Sequence, residues 1–253
     1  MATIKELVKQ MGGEQKAAST AYRALEDMAT RAGAPGSEAR RATVAADLGA
    51  ELTAMTEPKK DEKGKDIPPR LVHSSRIRAK VARLLSYVAG AEEVPALVQA
   101  LGDLEVREMA RFALDRNISA AATEALIKAL DDQVGPIFRT GIVSALGKRK
   151  GANVLSALQK AAEHEKCHVR IAAIEALANF ADASNDAFIA KATRAQCPGC
   201  RARANKARVR LAETLCQAGN KPAARRIYKA IRASNAEAPQ KKAAEIGLKS
   251  LAS

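Results

Sequence analysis

Three cysteines and a histidine are the residues whose types and spacing could support chemistry. Two residues, Pro and Gly, separate Cys197 from Cys200, and the neighbours Cys167 and His168 precede Cys197 by about one repeat period. Four such ligands bind zinc when they converge in a tetrahedron. Three interpretations stay open: a zinc site of Cys167, His168, Cys197 and Cys200, a redox pair whose thiolate a helix N-terminus favours, or reduced thiols without such a role.

Basic side chains are concentrated at the end of the chain. Residues 191–253 hold 15 Lys and Arg but 3 Asp and Glu, so most of the whole-chain net charge of +14 lies there. Their cations recur at i, i+3 and i+7 and then at i, i+4 and i+7, which places each set on one face of a helix. We predict a basic patch formed by Arg203, Lys206, Arg210, Arg225, Lys229 and Arg232.

Several partners are compatible with this basic patch. An acidic protein surface is the partner that we expect. Nucleic-acid phosphates are the alternative, bound without sequence preference through charge and counterion release. Aromatic residues make up 3% of the chain, so stacking on single-stranded bases is not expected. A solvated basic face without any partner is the third possibility.

The elements that must position these residues are written as a repeat. An apolar residue followed by Arg recurs at Arg78, Arg107, Arg139 and Arg170, with spacings of 29, 32 and 31 residues. Six and seven residues after each Arg comes a pair of apolar residues, usually small and then large. A period of this size indicates stacked helix pairs, because one pair alone has too little apolar surface to close a core. We therefore predict an all-α, right-handed α–α superhelix without a sheet, in which each Arg contacts an acid or carbonyl of a neighbouring layer.

This pattern resembles HEAT repeats in the short form found in phycobilin lyases and many bacterial proteins. The resemblance covers residues 71–196 and implies a HEAT/armadillo-like solenoid. It also implies that Asp103 caps the start of the next helix. The spacing of Leu211, Gly219 and Tyr228 is similar to that of a tetratricopeptide repeat, which implies a helical hairpin near the C-terminus.

Four segments follow from these patterns. Residues 1–55 are expected to form a helical cap or divergent repeat, beginning with a capping box at Thr3 and Glu6. Residues 56–70 are charged and hold three prolines, so we expect a mobile loop. Residues 71–196 are the HEAT-like repeats, and residues 197–253 form a basic, tetratricopeptide-like cap.

The function predicted from the sequence is that of a non-enzymatic scaffold for protein–protein interaction. A catalytic triad, a phosphate-binding loop and a nucleophile elbow are not recognisable. His164-Glu165 is similar to the paired ligands of HEAT-like deoxyhypusine hydroxylases, but those enzymes need four such pairs. A lyase-like accessory protein resembling phycobilin lyases is a further alternative. No cofactor is expected apart from the possible zinc.

The expected location is the cytoplasm. Four cysteines without dense pairing are typical of a reducing compartment. No apolar run reaches the ~18 residues that a membrane span requires. The first residues also lack the apolar segment of a secretion signal, so we expect neither export nor membrane association.

Overall fold

Helices make up nearly all of the regular structure. The structure, a computed structural model, describes residues 2–131 and 135–252, without the side chain of Asp131. The chain divides into two units, Met1–Leu126 and Ile127–Ser253. Unit 1 contains α1 (Ile4–Gln10), α2 (Gln15–Ala32), α3 (Glu38–Thr53), α4 (Ser75–Val88), α5 (Val94–Leu101) and α6 (Arg107–Arg116), and α7 (Ala120–Asp131) crosses the boundary between the units.

Each helix pair consists of a first helix and a second helix, and the helices of unit 2 follow in the same alternation. They are α8 (Pro136–Leu146), α9 (Ala152–Ala161), α10 (Cys167–Leu177), α11 (Asn185–Ala192), α12 (Pro198–Gln217), α13 (Lys221–Arg232) and α14 (Ala238–Ser250). No helix of the described residues is long and apolar enough to cross a bilayer.

Local sequence signals fix several helix starts. At α1, the Thr3 hydroxyl accepts the Glu6 N–H at 3.2 Å, and the Glu6 carboxylate accepts the Thr3 N–H at 2.8 Å. This reciprocal pair is the predicted capping box. Proline opens α5, α8 and α12, where a missing N–H costs little.

One short hairpin interrupts the helices, so the expectation of no sheet is wrong at this place. Strands β1 (Lys59–Lys60) and β2 (Asp66–Ile67) pair antiparallel within the segment 56–70. The cause is local turn chemistry, because one carboxylate oxygen of Asp61 accepts the N–H groups of both Lys63 and Lys65 at 2.9 Å.

Unit 1 stacks its helices in the order that a repeat requires. The first helices of successive pairs touch, α2 against α4 and α4 against α6, and the second helices α3 and α5 also touch. The apolar pairs that follow the repeat arginines lie in the core between these helices. Leu84 and Leu85 of α4 and Ala113 and Leu114 of α6 are fully buried.

Unit 2 repeats this arrangement, with α8 against α10 and α10 against α12. The apolar pairs of this unit, Ala145-Leu146 and Ala176-Leu177, are also buried. The predicted hairpin of α12 and α13 is present, and α14 packs on both of its helices. The predicted all-α fold of stacked helix pairs is thereby confirmed.

Two close approaches in unit 2 depend on glycine. A Cβ atom on Gly147, at the end of α8, would lie 2.7 Å from the Cβ of Ala176 in α10. A Cβ on Gly247 of α14 would overlap the ring of Tyr228, which is buried in α13. Glycine therefore sets the distance between these helices.

We expect the substitution Gly147→Ala to destabilise unit 2 by about 1–3 kcal/mol, because the added methyl group overpacks the contact with Ala176. The measurement is the free energy of unfolding in urea, followed by circular dichroism. Gly102→Ala is the matched control, since Gly102 also ends a helix with φ near −70° and its Cβ would meet only Gln99 O of its own helix, at 3.4 Å. Equal losses in the two variants would contradict the overpacking.

Candidate functional site

The repeat arginines of unit 2 bind carbonyl groups at the ends of the preceding second helices. Arg139 Nε donates to Leu130 O of α7 at 3.1 Å. Arg170 Nη1 donates to His164 O at 2.7 Å, in the turn between α9 and α10. Arg139 therefore satisfies a carbonyl in the last turn of a helix, which helix geometry leaves without an intrahelical partner, and Arg170 satisfies one in the turn that follows a helix. The predicted contact with a carbonyl is confirmed at both positions.

In unit 1, the equivalent arginine also binds a carboxylate. Arg78, which is 3% exposed, donates from Nε to Leu52 O at 3.0 Å and from Nη1 to Asp103 Oδ2 at 2.6 Å. Asp103 further accepts from the Ser75 hydroxyl and from the N–H of Glu105, just before α6. Burial opposes ionisation, but these hydrogen bonds and the Arg78 charge lower the pKa of Asp103. Asp103 thus joins two layers. The expected cap is wrong in its detail, because α6 has no side-chain cap and Asp103 accepts from the N–H of Glu105, two residues before the helix begins.

Arg201 is a repeat arginine that the sequence analysis missed. It follows Arg170 by 31 residues and donates from Nη1 to Ala195 O at 2.9 Å and to Gln196 O at 2.7 Å. Arg201 also follows an apolar residue, as the other repeat arginines do, because Cys200 before it behaves as a small apolar residue when buried.

A polar cavity of about 760 Å³ lies beside this arginine in unit 2. Arg194, Arg201 and Arg208 line it, together with residues 233–237 after α13. Arg208 forms a two-point ion pair with Asp186, with N–O distances of 2.6 and 3.1 Å. The sequence analysis did not single out Arg194 or Arg208 as binding residues.

Two of the six side chains in the predicted basic patch are bound to other groups of the chain, and four are not engaged in ion pairs among the described residues. Arg203 binds both carboxylate oxygens of Glu175 in α10, at 2.7 and 2.6 Å, and this contact raises the pKa of the guanidinium. Arg225 donates to Leu251 O, after α14, at 2.5 Å. The exposed cations Lys206, Arg210, Lys229 and Arg232 form no ion pair within the part of the chain that the structure describes.

The basic residues of α12 and those of α13 therefore contact different neighbours. Arg203 of α12 binds α10, and Arg225 of α13 binds the C-terminal end of α14. That they act together as one binding surface stays a prediction.

The sulfur atoms of three predicted ligands come together at the starts of α10 and α12. The Sγ atoms of Cys167 and Cys200 are 2.8 Å apart, and Cys197 Sγ accepts the Cys200 N–H at 3.4 Å. His168, the fourth predicted ligand, is exposed. Sulfurs that share a tetrahedral zinc lie about 3.8 Å apart, given Zn–S bonds of ~2.3 Å.

Cys167 Sγ and Cys200 Sγ are therefore closer together than two sulfur ligands of one zinc ion would be. Across residues 2–131 and 135–252, no group of three or more His, Cys, Asp or Glu side chains has the placement of a metal site. Binding of zinc by Cys167, His168, Cys197 and Cys200 stays a prediction of the sequence.

The cysteine contacts separate the thiols by acidity. Hydrogen bonds to Cys167 and Cys197 hold Cys200 in its thiol form and raise its pKa to about 12. Hydrogen bonds from the Cys200 side chain and N–H lower the pKa of Cys197, which is exposed. Cys197 is thus the more reactive of the two thiols.

Comparison with known families identifies the central segment. Residues 123–204, from α7 into α12, match the family model of HEAT repeats. This segment is therefore similar to HEAT repeats. The predicted resemblance is confirmed over this range, which includes Arg139, Arg170 and Arg201.

Comparison of this chain with solved structures gives three similar proteins. The complex of CpcE and CpcF of phycocyanin lyase from Nostoc sp. PCC7120 is 20% identical, with a TM-score of 0.43 over 99% of this chain and 95% of that chain. Human deoxyhypusine hydroxylase in complex with glycerol is 17% identical, with a TM-score of 0.38 over 98% and 96%. A designed armadillo repeat protein is 15% identical, with a TM-score of 0.37 over 98% and 100%. No curated protein matches the sequence.

We expect iodoacetamide to alkylate Cys197 before Cys200, because Cys197 is exposed and forms its thiolate more easily. Since the pKa of Cys197 is lowered, its rate of alkylation should rise at a lower pH than that of free cysteine. Peptide mass spectrometry of samples labelled between about pH 6 and 9 measures both rates. A Cys197→Ser variant controls for background labelling, and equal rates at the two cysteines would contradict the assignment.

Proposed function

We propose that this protein is a non-enzymatic HEAT-repeat scaffold that binds an acidic protein surface through its basic patch. One observation carries the proposal: Lys206, Arg210, Lys229 and Arg232 are exposed, and none of them has an acidic partner among the described residues. Exposed cations grouped in this way attract a surface of opposite charge and increase the rate of its association.

The repeat architecture supports a role in binding a macromolecule. Stacked helix pairs present an extended surface, which repeat proteins commonly use to hold a partner. The half-buried arginines have a different task, since Arg139, Arg170 and Arg201 are bound to main-chain carbonyls. The exposed cations of the basic patch are therefore available to a partner.

An acidic residue beside the basic residues favours a protein partner over a nucleic acid. Glu175 is partly exposed and lies against Arg203, so negative charge interrupts the positive surface there. A phosphate backbone would meet repulsion at this point, whereas a protein surface can place its own acids around it. Nucleic-acid binding is kept as an outcome of the test.

We expect the quadruple variant Lys206→Glu, Arg210→Glu, Lys229→Glu, Arg232→Glu to lose binding to an acidic peptide by about tenfold or more, because the attraction becomes repulsion. The probe is a fluorescently labelled polyglutamate peptide, and fluorescence anisotropy gives the Kd at low and at physiological salt. A duplex DNA of the same net charge is measured in parallel.

The matched control reverses four exposed cations of α1 and α2, with Lys5→Glu, Lys9→Glu, Lys16→Glu and Arg23→Glu. It has the same net charge as the test variant and should keep the affinity of the wild type. Equal losses in both variants, or no binding of the peptide, would overturn the proposal. Tighter binding of the DNA, lost only in the test variant, would replace the acidic protein with a nucleic acid.

A further inference from the structure

Three thiols meet where α10 and α12 begin, and the proposed basic patch makes no use of them. Cys200 is the middle one, with its Sγ 2.8 Å from Cys167 Sγ and its N–H directed to Cys197 Sγ at 3.4 Å. Its thiol also hydrogen-bonds to the sulfur of Cys197. All three cysteines are free. The sulfur of Cys200 is therefore placed to react with either neighbour.

The contact between Cys167 and Cys200 is suited to a disulfide. A disulfide bond places its sulfurs about 2.05 Å apart, so a movement of less than about 1 Å would join these two. Two sulfurs that share a zinc ion stay farther apart, at about 3.8 Å. The two residues are 33 positions apart in the sequence and lie on helices that touch. A bond between them would link two layers of unit 2 covalently.

The three sulfurs differ in their access to solvent. Cys197 is exposed, Cys167 is half-buried and Cys200 is 6% exposed. A reagent from solution therefore meets Cys197 first, and Cys200 is reached through its neighbours. Thiol–disulfide exchange passes from sulfur to sulfur through mixed disulfides, so an exposed thiol beside a buried one can serve as the entry point.

We propose that these cysteines form a thiol–disulfide exchange site, which reacts with small-molecule disulfides and ends with an internal disulfide between Cys167 and Cys200. Cys197 is the entry point, Cys200 passes the bond on, and Cys167 completes it. Of the interpretations that the sequence left open, this is the redox pair, with Cys167 added as its third member. The site goes beyond the proposed binding of a protein, and its chemistry requires no protein partner.

The reaction consists of three exchanges. The thiolate of Cys197 attacks one sulfur of the small disulfide, forms a mixed disulfide and releases the other half as a thiolate. Cys200 gives its proton to that thiolate and attacks Cys197 Sγ, which releases the second half. Cys167 gives its proton to this second thiolate and attacks Cys200 Sγ, so Cys197 leaves as a thiolate again. In total, Cys167 and Cys200 lose two electrons and two protons, and the small disulfide becomes two thiols.

The probe is oxidised glutathione, added to the full chain with the substitution Cys216→Ser, which removes the fourth cysteine. Free thiols are then capped with N-ethylmaleimide, and mass spectrometry of non-reduced tryptic peptides identifies each disulfide. We expect the peptide of Cys167 to be linked to Cys200, with the cap on Cys197. Dithiothreitol should return all three cysteines to thiols.

Three further variants of this Cys216→Ser chain each interrupt a different exchange. Cys200→Ser should end as a mixed disulfide of glutathione with Cys197, and Cys167→Ser as a disulfide between Cys197 and Cys200. Cys197→Ser keeps both partners of the final bond but should slow its formation by about tenfold or more, because the reagent must then reach a less exposed sulfur. Circular dichroism checks that each variant is folded.

Two results would overturn the proposal: final products other than the bond between Cys167 and Cys200, or formation of that bond at the same rate with and without Cys197. Exchange that begins only after treatment with EDTA would also overturn it, since the thiols would then be zinc ligands. None of these measurements uses the polyglutamate peptide, so their outcome is separate from that of the proposed protein binding.

Discussion

The carbonyl groups at the ends of the second helices are the constraint on which this fold depends. A helix leaves its last carbonyls without intrahelical partners, and stacking of layers removes water from around them. An arginine at the start of the following first helix donates to these groups, as Arg78 does to Leu52 and Arg139 to Leu130. An apolar residue beside each arginine packs into the core. The same dipeptide therefore contributes a buried side chain to the layer and hydrogen bonds to the carbonyls at its edge.

The side chain met by the guanidinium of this arginine differs between layers. Where Asp103 meets Arg78, the contact is an internal ion pair with one partner almost fully buried. Where Arg139 meets His164, its Nη1 lies 2.7 Å from Nε2 of the imidazole. In both layers Nε of the arginine donates to a carbonyl of the preceding second helix, so the contact with the main chain is the part that the layers share.

The fold was largely readable from the sequence because its determinants are periodic. Apolar pairs such as Ala176-Leu177 recur with the repeat, and the capping box at Thr3 is a local signal. The hairpin at Lys59–Lys60 was missed because Asp61 creates it through its own backbone contacts, in a stretch whose composition predicts a loop.

The site was less predictable because it depends on which faces meet. Helical spacing places Arg203 on one face of α12, but only the packed structure gives its partner, Glu175 of α10. The contact between Arg139 and His164 joins residues 25 apart that carry no joint motif. Cys200 was interpreted as a possible metal ligand and not as an apolar residue of the repeat, so the repeat arginine that follows it was not predicted.

The close approach of Gly247 to Tyr228 has a practical consequence for spectroscopy. The chain contains no tryptophan and three tyrosines, of which Tyr228 alone belongs to unit 2. Its ring is buried beneath α14, and burial raises the pKa of its phenol. Ultraviolet absorbance or emission from this phenol should therefore act as an intrinsic optical reporter of whether the last helix is docked or detached, without an added dye.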